Sequence, residues 1–238
     1  MIRINGHLRK ERKICKPKMS EPIQLDLPLN NLVRKSESKD SPSKAIFFLH
    51  GFGSNMQDLF GLSPVFDKDW TCISLQASIP VQYNGWAWAE LDFENIGKLP
   101  KPEQMENHQI QVIDSINKCI EYLYLDPERV NLLGFSQGAS LSIYSGLLNP
   151  DRFNSVVALS GFFPVERLGD INNKGLEKLD LFMGHGKLDP VVPIKLGQRT
   201  RDGLIKLGMK PSFREYNSEH TIPNDCLKDF MEWLKKKN

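Results

Sequence analysis

The sequence predicts a domain of the α/β class, in which a mostly parallel sheet is covered by helices on both faces. The main observation is that short apolar runs alternate with segments of helical periodicity from residue 44 onward. The composition, with 40% apolar and 25% charged residues, is typical of an ordinary globular protein. A chain of 238 residues also provides enough apolar material for one sizeable core.

The predicted strands are short continuous apolar runs, which is the pattern of strands buried on both faces. They cover residues 45–49, 72–75, 129–133, 155–159, 180–183 and 212–216. The predicted helices show apolar residues at spacings of three and four, and they cover residues 104–124, 139–148, 193–207 and 222–236. Residues 164–178 are predicted to form an irregular insertion.

The domain is predicted to span residues 41–238, preceded by a basic, polar and partly disordered leader at residues 1–40. Residues 1–18 carry seven basic side chains and one acidic, a net charge of +6, so the remainder carries −4. Such a mildly acidic body gives no reason to expect a nucleic-acid partner.

The leader lacks the apolar core of a secretory signal and is too polar to span a bilayer, so no stable membrane insertion is expected. Three interpretations of it remain open. The first is a disordered segment, the second is an upstream start assigned ahead of Met19, and the third is a basic stretch that touches anionic lipid or nucleic acid.

Four cysteines lie far apart, and none forms a C-x-x-C pair; they are Cys15, Cys72, Cys119 and Cys226. This spacing predicts neither a disulfide framework nor a structural zinc site. Free thiols fit a reducing compartment, so the expected location is the cytoplasm.

A nucleophile is indicated by Gly134-Phe135-Ser136-Gln137-Gly138, which matches G-x-S-x-G between an apolar strand and an amphipathic helix. In this motif the serine lies on a strained strand-to-helix turn that exposes its hydroxyl above the sheet. The flanking glycines allow the helix to pass close to the strand. The backbone N–H of Gln137 is then directed at the position where an oxyanion would form.

A serine needs a base, and elimination among five histidines selects one. His7 lies in the leader, and His108 lies in a charged first helical turn, where a solvated position is expected. His50 precedes the nucleophile and is expected to brace the first loop, while His185 precedes the acid. His220, in a polar loop between the last strand and the last helix, is the predicted base.

Asp189 is the predicted acid, since it lies in a loop at the carboxyl end of a strand and follows the nucleophile in the expected chain order. Prolines on both sides of Val191 and Val192 would stiffen that loop. Asp180 would lie at the opposite end of its strand, and Glu219 is a rival adjacent to the base.

A second oxyanion donor is expected from the loop after the first strand, where glycines flank Phe52. Trp86 and Trp88 would share one face of an extended segment, and Phe162 follows a strand end. These three aromatic side chains are the candidate walls of a substrate groove, with core packing as the alternative.

Together, residues 48–54, 134–138 and 184–193 and the loop around His220 resemble the carboxylesterase/phospholipase family of α/β-hydrolases, which includes acyl-protein thioesterases and lysophospholipases. The likeness runs from about residue 43 to the C-terminus. It implies a minimal α/β-hydrolase fold without a large lid, a Ser-His-Asp triad, oxyanion donors at Phe52 and Gln137, and no metal or other cofactor. The implied substrates are short or medium acyl esters, thioesters or lysophospholipids.

The predicted function is therefore a serine carboxylic-ester hydrolase. Two alternatives use the same scaffold: a non-catalytic protein that binds a ligand or partner, and a peptidase. Exposed apolar residues near the groove would support a homodimer.

Overall fold

The structure is a computed structural model, and it describes residues 21–38, 41–92, 94 and 101–237. The segment 1–18, Met19, His7 and Cys15 lie outside the described residues.

Nine strands are formed within these ranges: β1 (Asn31–Arg34), β2 (Ser43–Leu49), β3 (Trp70–Leu75), β4 (Ile79–Val81), β5 (Gly85–Ala87), β6 (Leu125–Phe135), β7 (Ser155–Leu159), β8 (Asp180–Gly186) and β9 (Ser212–Tyr216). Seven of them build one sheet in the order β1-β3-β2-β6-β7-β8-β9. Only the edge strand β1 is antiparallel to its neighbour. The remaining two, β4 and β5, form a separate hairpin.

Five α-helices lie between or after these strands in the described part of the chain: α1 (Met56–Phe60), α2 (Pro102–Leu123), α3 (Gln137–Leu148), α4 (Ile194–Lys206) and α5 (Asn224–Lys235). Alternate side chains of a strand point to opposite faces, so a central strand serves two cores. Phe47 of β2 packs with α2, α3 and α4 on one face. Phe48 packs with α1 and α5 on the other. Helices therefore cover both faces, and the predicted α/β-hydrolase architecture is confirmed.

The sheet begins earlier in the chain than the sequence predicts. Residues Asn31–Arg34 pair with β3, and Val33 is buried, so the domain boundary predicted at residue 41 is wrong. The predicted leader therefore overlaps the domain. Sequence alone does not reveal this strand, because its four residues include a buried asparagine and show no clear apolar pattern.

The predicted insertion at 164–178 contains two short 3₁₀ helices, Val165–Asp170 and Leu176–Lys178. Among the described residues, no helix combines the length and the apolar character required to cross a bilayer.

The sheet topology gathers the candidate site at one edge. Strands β2, β6, β8 and β9 run parallel, so their carboxyl ends meet along the same rim. The candidate nucleophile, acid and base and the first loop each follow one of these ends, which is where open α/β sheets bind ligands.

Candidate active site

Ser136 lies on the turn between β6 and α3, and its backbone is strained. Its φ of 54° and ψ of −118° lie in a region that residues other than glycine rarely adopt. The conformation is held by a hydrogen bond of 2.8 Å from its N–H to the carbonyl of Leu159 and by the almost completely buried helix that follows. The strain is stored where the hydroxyl must project from the sheet.

Two glycines make this turn sterically possible. A Cβ at Gly134 would lie 2.2 Å from the carbonyl oxygen of Gly138, and a Cβ at Gly138 would lie 1.9 Å from that of Leu49. Both distances are far below contact, so the strand, the helix and the first loop meet only because these positions lack side chains.

The structure brings the three candidate catalytic side chains into one hydrogen-bonded chain. His220 Nε2 lies 3.0 Å from Ser136 Oγ, and His220 Nδ1 lies 2.7 Å from Asp189 Oδ2. With the proton on Nδ1, the imidazole donates to the carboxylate and accepts from the hydroxyl, which is the geometry required of a general base.

Asp189 is fixed from two sides. Its Oδ1 accepts hydrogen bonds from the N–H groups of Val191 at 2.9 Å and Val192 at 2.8 Å, which leaves Oδ2 for the imidazole. Burial opposes ionisation, but the hydrogen bonds from His220 and from these backbone groups outweigh it, so the pKa of Asp189 lies below its ordinary value. The group is a carboxylate at neutral pH.

The rival acids lie elsewhere. Asp180 is at the opposite end of β8, where it pairs with Lys237. Glu219 adjoins the base in sequence, but the hydrogen bond to His220 Nδ1 comes from Asp189. His185 is buried and donates from Nε2 to the Val192 carbonyl at 2.8 Å, and it therefore supports the turn that carries the acid.

The two candidate oxyanion donors lie on adjacent segments. A Cβ at Gly51 would lie 3.4 Å from the Ser136 Cβ, which places the first loop directly against the nucleophile. Gln137 is buried, and its side chain accepts from the Trp88 N–H at 2.8 Å and donates to the Ala89 carbonyl. This amide anchors residues 88–89 to the start of α3, where the Gln137 N–H is available.

A mostly apolar cleft of about 160 Å³ opens in front of the serine. The side chains that line it are Phe52, Leu91, Met105, Ser136, Gln137, Ser140, Phe162, Val191, Val192 and His220. Its mostly apolar lining suits an acyl chain.

Phe162 lies on this cleft, as the sequence suggests, but Trp86 and Trp88 do not. The indole of Trp88 is completely buried and donates from Nε1 to the His50 carbonyl at 2.8 Å. Trp86 is half-buried against the core that contains Trp88. The prediction that Trp88 contacts substrate is therefore wrong, because its side chain belongs to the core, and Trp86 does not line this cleft.

His108 is also placed differently from the sequence prediction. It is buried rather than solvated, and it lies edge-on to Trp88 with ring centroids 5.3 Å apart. Its Nε2 accepts from the N–H of Ser78 at 3.1 Å, while Nδ1 donates to the Gln104 carbonyl at 3.0 Å. The helix begins at Pro102, so His108 lies in its second turn, on the buried face that it shares with Met105 and Val112.

Sequence reasoning did not identify five residues of the cleft wall, which are Leu91, Met105, Ser140, Val191 and Val192. Three of them carry a local signal. Ser140 lies one helical turn after the nucleophile, and Val191 and Val192 donate to the acid. Met105 and Leu91 reach the cleft through tertiary packing alone. In the described part of the chain, no group of acidic, histidine and cysteine side chains is arranged to hold a metal ion.

Three buried histidines predict a pH-dependent stability. Burial is the main cause that lowers the pKa of His50, His108 and His185 below 6.5, and hydrogen bonds and neighbouring carboxylates oppose the shift only in part. Since the unfolded chain binds protons more readily, these groups remove stability as the pH falls from about 6.5 toward their folded-state values. The Tm is expected to be nearly constant from pH 7 to 8 and to fall between pH 6.5 and 5.

The measurement is thermal unfolding across this pH range. His108→Gln removes one of the three groups and is expected to make the decline shallower. A Tm that stays constant down to pH 5 would contradict the prediction.

The family model for phospholipase/carboxylesterase matches residues 31–238. The chain belongs to this family. It is therefore a serine hydrolase, as the sequence predicts.

Relatives and a solved structure agree with this assignment. Acyl-protein thioesterase 1 of Mycosarcoma maydis is 25% identical over 232 residues, covering 87% of this chain and 97% of that protein. Acyl-protein thioesterase 1 of Debaryomyces hansenii is 33% identical over 135 residues. This match covers 56% of this chain and 52% of that protein, so the chain spans about half the length of this relative. The crystal structure of a carboxylesterase from Mesorhizobium loti superimposes with a TM-score of 0.79 at 18% identity, covering 91% of this chain and 99% of that one, and shows the shared fold.

Proposed function

We propose that this family member hydrolyses short-to-medium acyl esters or thioesters through Ser136, His220 and Asp189. The observation that carries the proposal is the hydrogen-bonded chain from the serine hydroxyl to the buried carboxylate, at 3.0 and 2.7 Å, opening into an apolar cleft. The substrate is a small acyl ester, thioester or lysophospholipid, and no cofactor takes part.

The reaction is a two-step acyl transfer. His220 accepts the proton of Ser136 Oγ as the oxygen attacks the acyl carbonyl, and Asp189 stabilises the imidazolium. The N–H groups of Phe52 and Gln137 bind the oxyanion, and each such donor contributes on the order of 3 kcal/mol to transition-state binding. The leaving alcohol or thiol takes the proton from His220. Water, deprotonated by the same imidazole, then releases the acid.

The apolar lining favours an acyl chain over a polar substrate. Met105, Phe162, Val191 and Leu91 present hydrocarbon or aromatic surface around the serine. Each CH₂ group buried there contributes about 0.8 kcal/mol, so binding rises with chain length until the cleft is filled. Among the relatives, the acyl-protein thioesterases carry in their name a thioester as the bond cleaved.

The test is a profile of kcat/KM over p-nitrophenyl esters and matched acyl thioesters from two to sixteen carbons. We expect turnover of both classes, with an optimum at short-to-medium chain length and a decline beyond it. Enzyme pretreated with a fluorophosphonate is the control and is expected to be inactive.

The profile also separates the alternatives. A non-catalytic binding protein would show neither turnover nor fluorophosphonate labelling, and a peptidase would cleave peptide amides faster than matched esters. Either result would contradict the proposal.

We also propose a cytoplasmic location and a homodimer. Cys72, Cys119 and Cys226 are buried free thiols, which fits a cytoplasmic location, and fractionation of tagged protein tests it. Leu188 and Val191 expose apolar surface near the cleft, which fits a homodimer, and a sedimentation mass equal to one chain would exclude it.

A further inference from the structure

His50 is a completely buried imidazole at the end of β2 that the proposed acyl transfer does not use. Both of its ring nitrogens are engaged. Nε2 lies 3.1 Å from the backbone nitrogen of Ala77, and Nδ1 lies 2.8 Å from the carbonyl oxygen of Gly51. The ring therefore joins the first loop to the segment that follows β3.

These two contacts determine the tautomer. The N–H of Ala77 can only donate, so Nε2 must present its lone pair, and the ring proton resides on Nδ1. His50 accordingly donates from Nδ1 to the Gly51 carbonyl. Burial lowers the pKa of the imidazole, which keeps this neutral form in place. Asp58 and His108 are the charged or titratable neighbours that face the ring.

The Gly51 carbonyl and the Phe52 N–H belong to one trans peptide, so they point in opposite directions. A bond that draws the carbonyl oxygen toward His50 directs the Phe52 N–H away from it. The opposite side is occupied by the nucleophile and the cleft, since Gly51 contacts Ser136 and Phe52 lines the cleft.

The Gly51 carbonyl also accepts from the Ser54 N–H at 3.2 Å, so the imidazole supplies the shorter of two hydrogen bonds that hold this peptide, which glycines make flexible. Gly53 has a φ of 75°, and neither glycine has a Cβ to limit rotation of the peptide. If the peptide flipped, a carbonyl oxygen would face the developing oxyanion and repel it.

The imidazole is itself held in place. Trp88 packs against it with ring centroids 5.1 Å apart, and the indole Nε1–H donates to the His50 carbonyl at 2.8 Å. The Trp88 backbone N–H bonds to the Gln137 side chain. One buried residue thus connects the two segments that carry the oxyanion donors.

We propose that His50 is a positioning residue that holds the Gly51–Phe52 peptide with its N–H directed at the oxyanion. The inference rests on the proposed function, in which Phe52 is an oxyanion donor. His50 touches no reacting atom, and it acts through the peptide that it orients.

The test separates the two hydrogen bonds of the ring. In His50→Asn the amide nitrogen occupies the place of Nδ1 and can still donate to Gly51, while the acceptor for Ala77 is lost. In His50→Gln the amide oxygen occupies the place of Nε2 and can still accept from Ala77, while the donor to Gly51 is lost. Each variant loses one buried bond and the aromatic contact, so similar decreases in Tm are expected.

The kinetic effects are expected to differ. Turnover of a p-nitrophenyl butyrate substrate is measured well below the Tm and divided by the number of sites titrated with a fluorophosphonate. For His50→Gln, kcat is expected to fall about a hundredfold with KM little changed, as for the loss of an oxyanion donor. For His50→Asn, kcat is expected to stay within about threefold of wild type.

Equal losses of kcat in the two variants, or no loss in either, would overturn the proposal.

If neither variant folds, Trp88→Phe removes the bond to the His50 carbonyl and keeps a ring against the imidazole. Its kcat is expected to fall about tenfold, since small displacements in an active site carry large rate penalties. Trp70→Phe, a buried tryptophan in the core on the other face of the sheet, is the matched control and is expected to lower only the Tm. An unchanged kcat in Trp88→Phe would also overturn the proposal.

Failure of the proposed function gives a different result. A wild-type protein that hydrolyses neither ester nor thioester would remove the oxyanion role altogether. If only the His50 inference fails, the wild-type protein still hydrolyses its substrates, and His50→Asn and His50→Gln show equal losses of kcat or no loss.

Discussion

Replacement of Ser136 by alanine is expected to decrease ester hydrolysis on the order of 10⁶-fold, because without the nucleophile no acyl-enzyme can form. His220→Ala should be about as damaging, since the hydroxyl then has no base within 3.0 Å. The double variant is expected to be no worse than either single one, because the residues act as a unit. Hydrolysis is measured with p-nitrophenyl butyrate, and circular dichroism shows whether the fold is retained.

Ser145→Ala is the matched control for this experiment. Ser145 lies in α3 with its hydroxyl buried and without a hydrogen-bond partner, so its removal is expected to leave activity intact. Turnover near the wild-type rate in Ser136→Ala would assign the nucleophile to another residue. Turnover near the wild-type rate in His220→Ala would assign the general base to another residue.

Gly138→Ala is expected to destabilise the fold and to distort the turn that carries the nucleophile. The new Cβ would meet the backbone oxygens of Leu49 and His50 at 1.9 and 2.5 Å, and neither atom can move without shifting β2 or the first loop. We expect a loss of about 3 kcal/mol or more, which for a domain of this size lowers the Tm by about 6–12 °C. Thermal unfolding and kcat are both measured, and kcat is expected to fall together with the Tm.

Gly169→Ala is the control for this substitution. A Cβ at Gly169 would meet no atom within 4 Å, and its backbone is not left-handed, so the change should be close to neutral. If Gly138→Ala had a wild-type Tm and a wild-type kcat, the close approach of helix and loop would not be required for the site.

The elbow and its partners could be predicted from sequence because their signals are local or follow from chain order. The G-x-S-x-G motif specifies a strained turn in five residues. Asp189 and His220 follow the ends of later parallel strands, and such ends meet at one rim. The contacts at 2.7 and 3.0 Å join residues 31 and 84 positions apart, and only the folded chain displays them.

The errors share a different cause. Trp88 and His108 have the sequence context of surface or groove residues, yet both are buried. Whether a side chain of a loop or of the first two helical turns faces the core depends on what packs over it, and the local pattern carries no such information. Strand β1 is not predicted because Asn31 interrupts its apolar pattern. This polar residue can be buried in the fold because its amide donates to the carbonyls of Leu25 and Leu29.

By itself, the sequence determined the fold class, the nucleophile turn and the order of the catalytic candidates, because backbone strain and strand periodicity are encoded over a few residues. The tertiary structure alone decided the cleft wall, the burial of His50, His108 and His185, and the restraint of the first loop by His50. Those features depend on contacts between segments far apart in the chain. Their partners are known only when the sheet and helices are packed together.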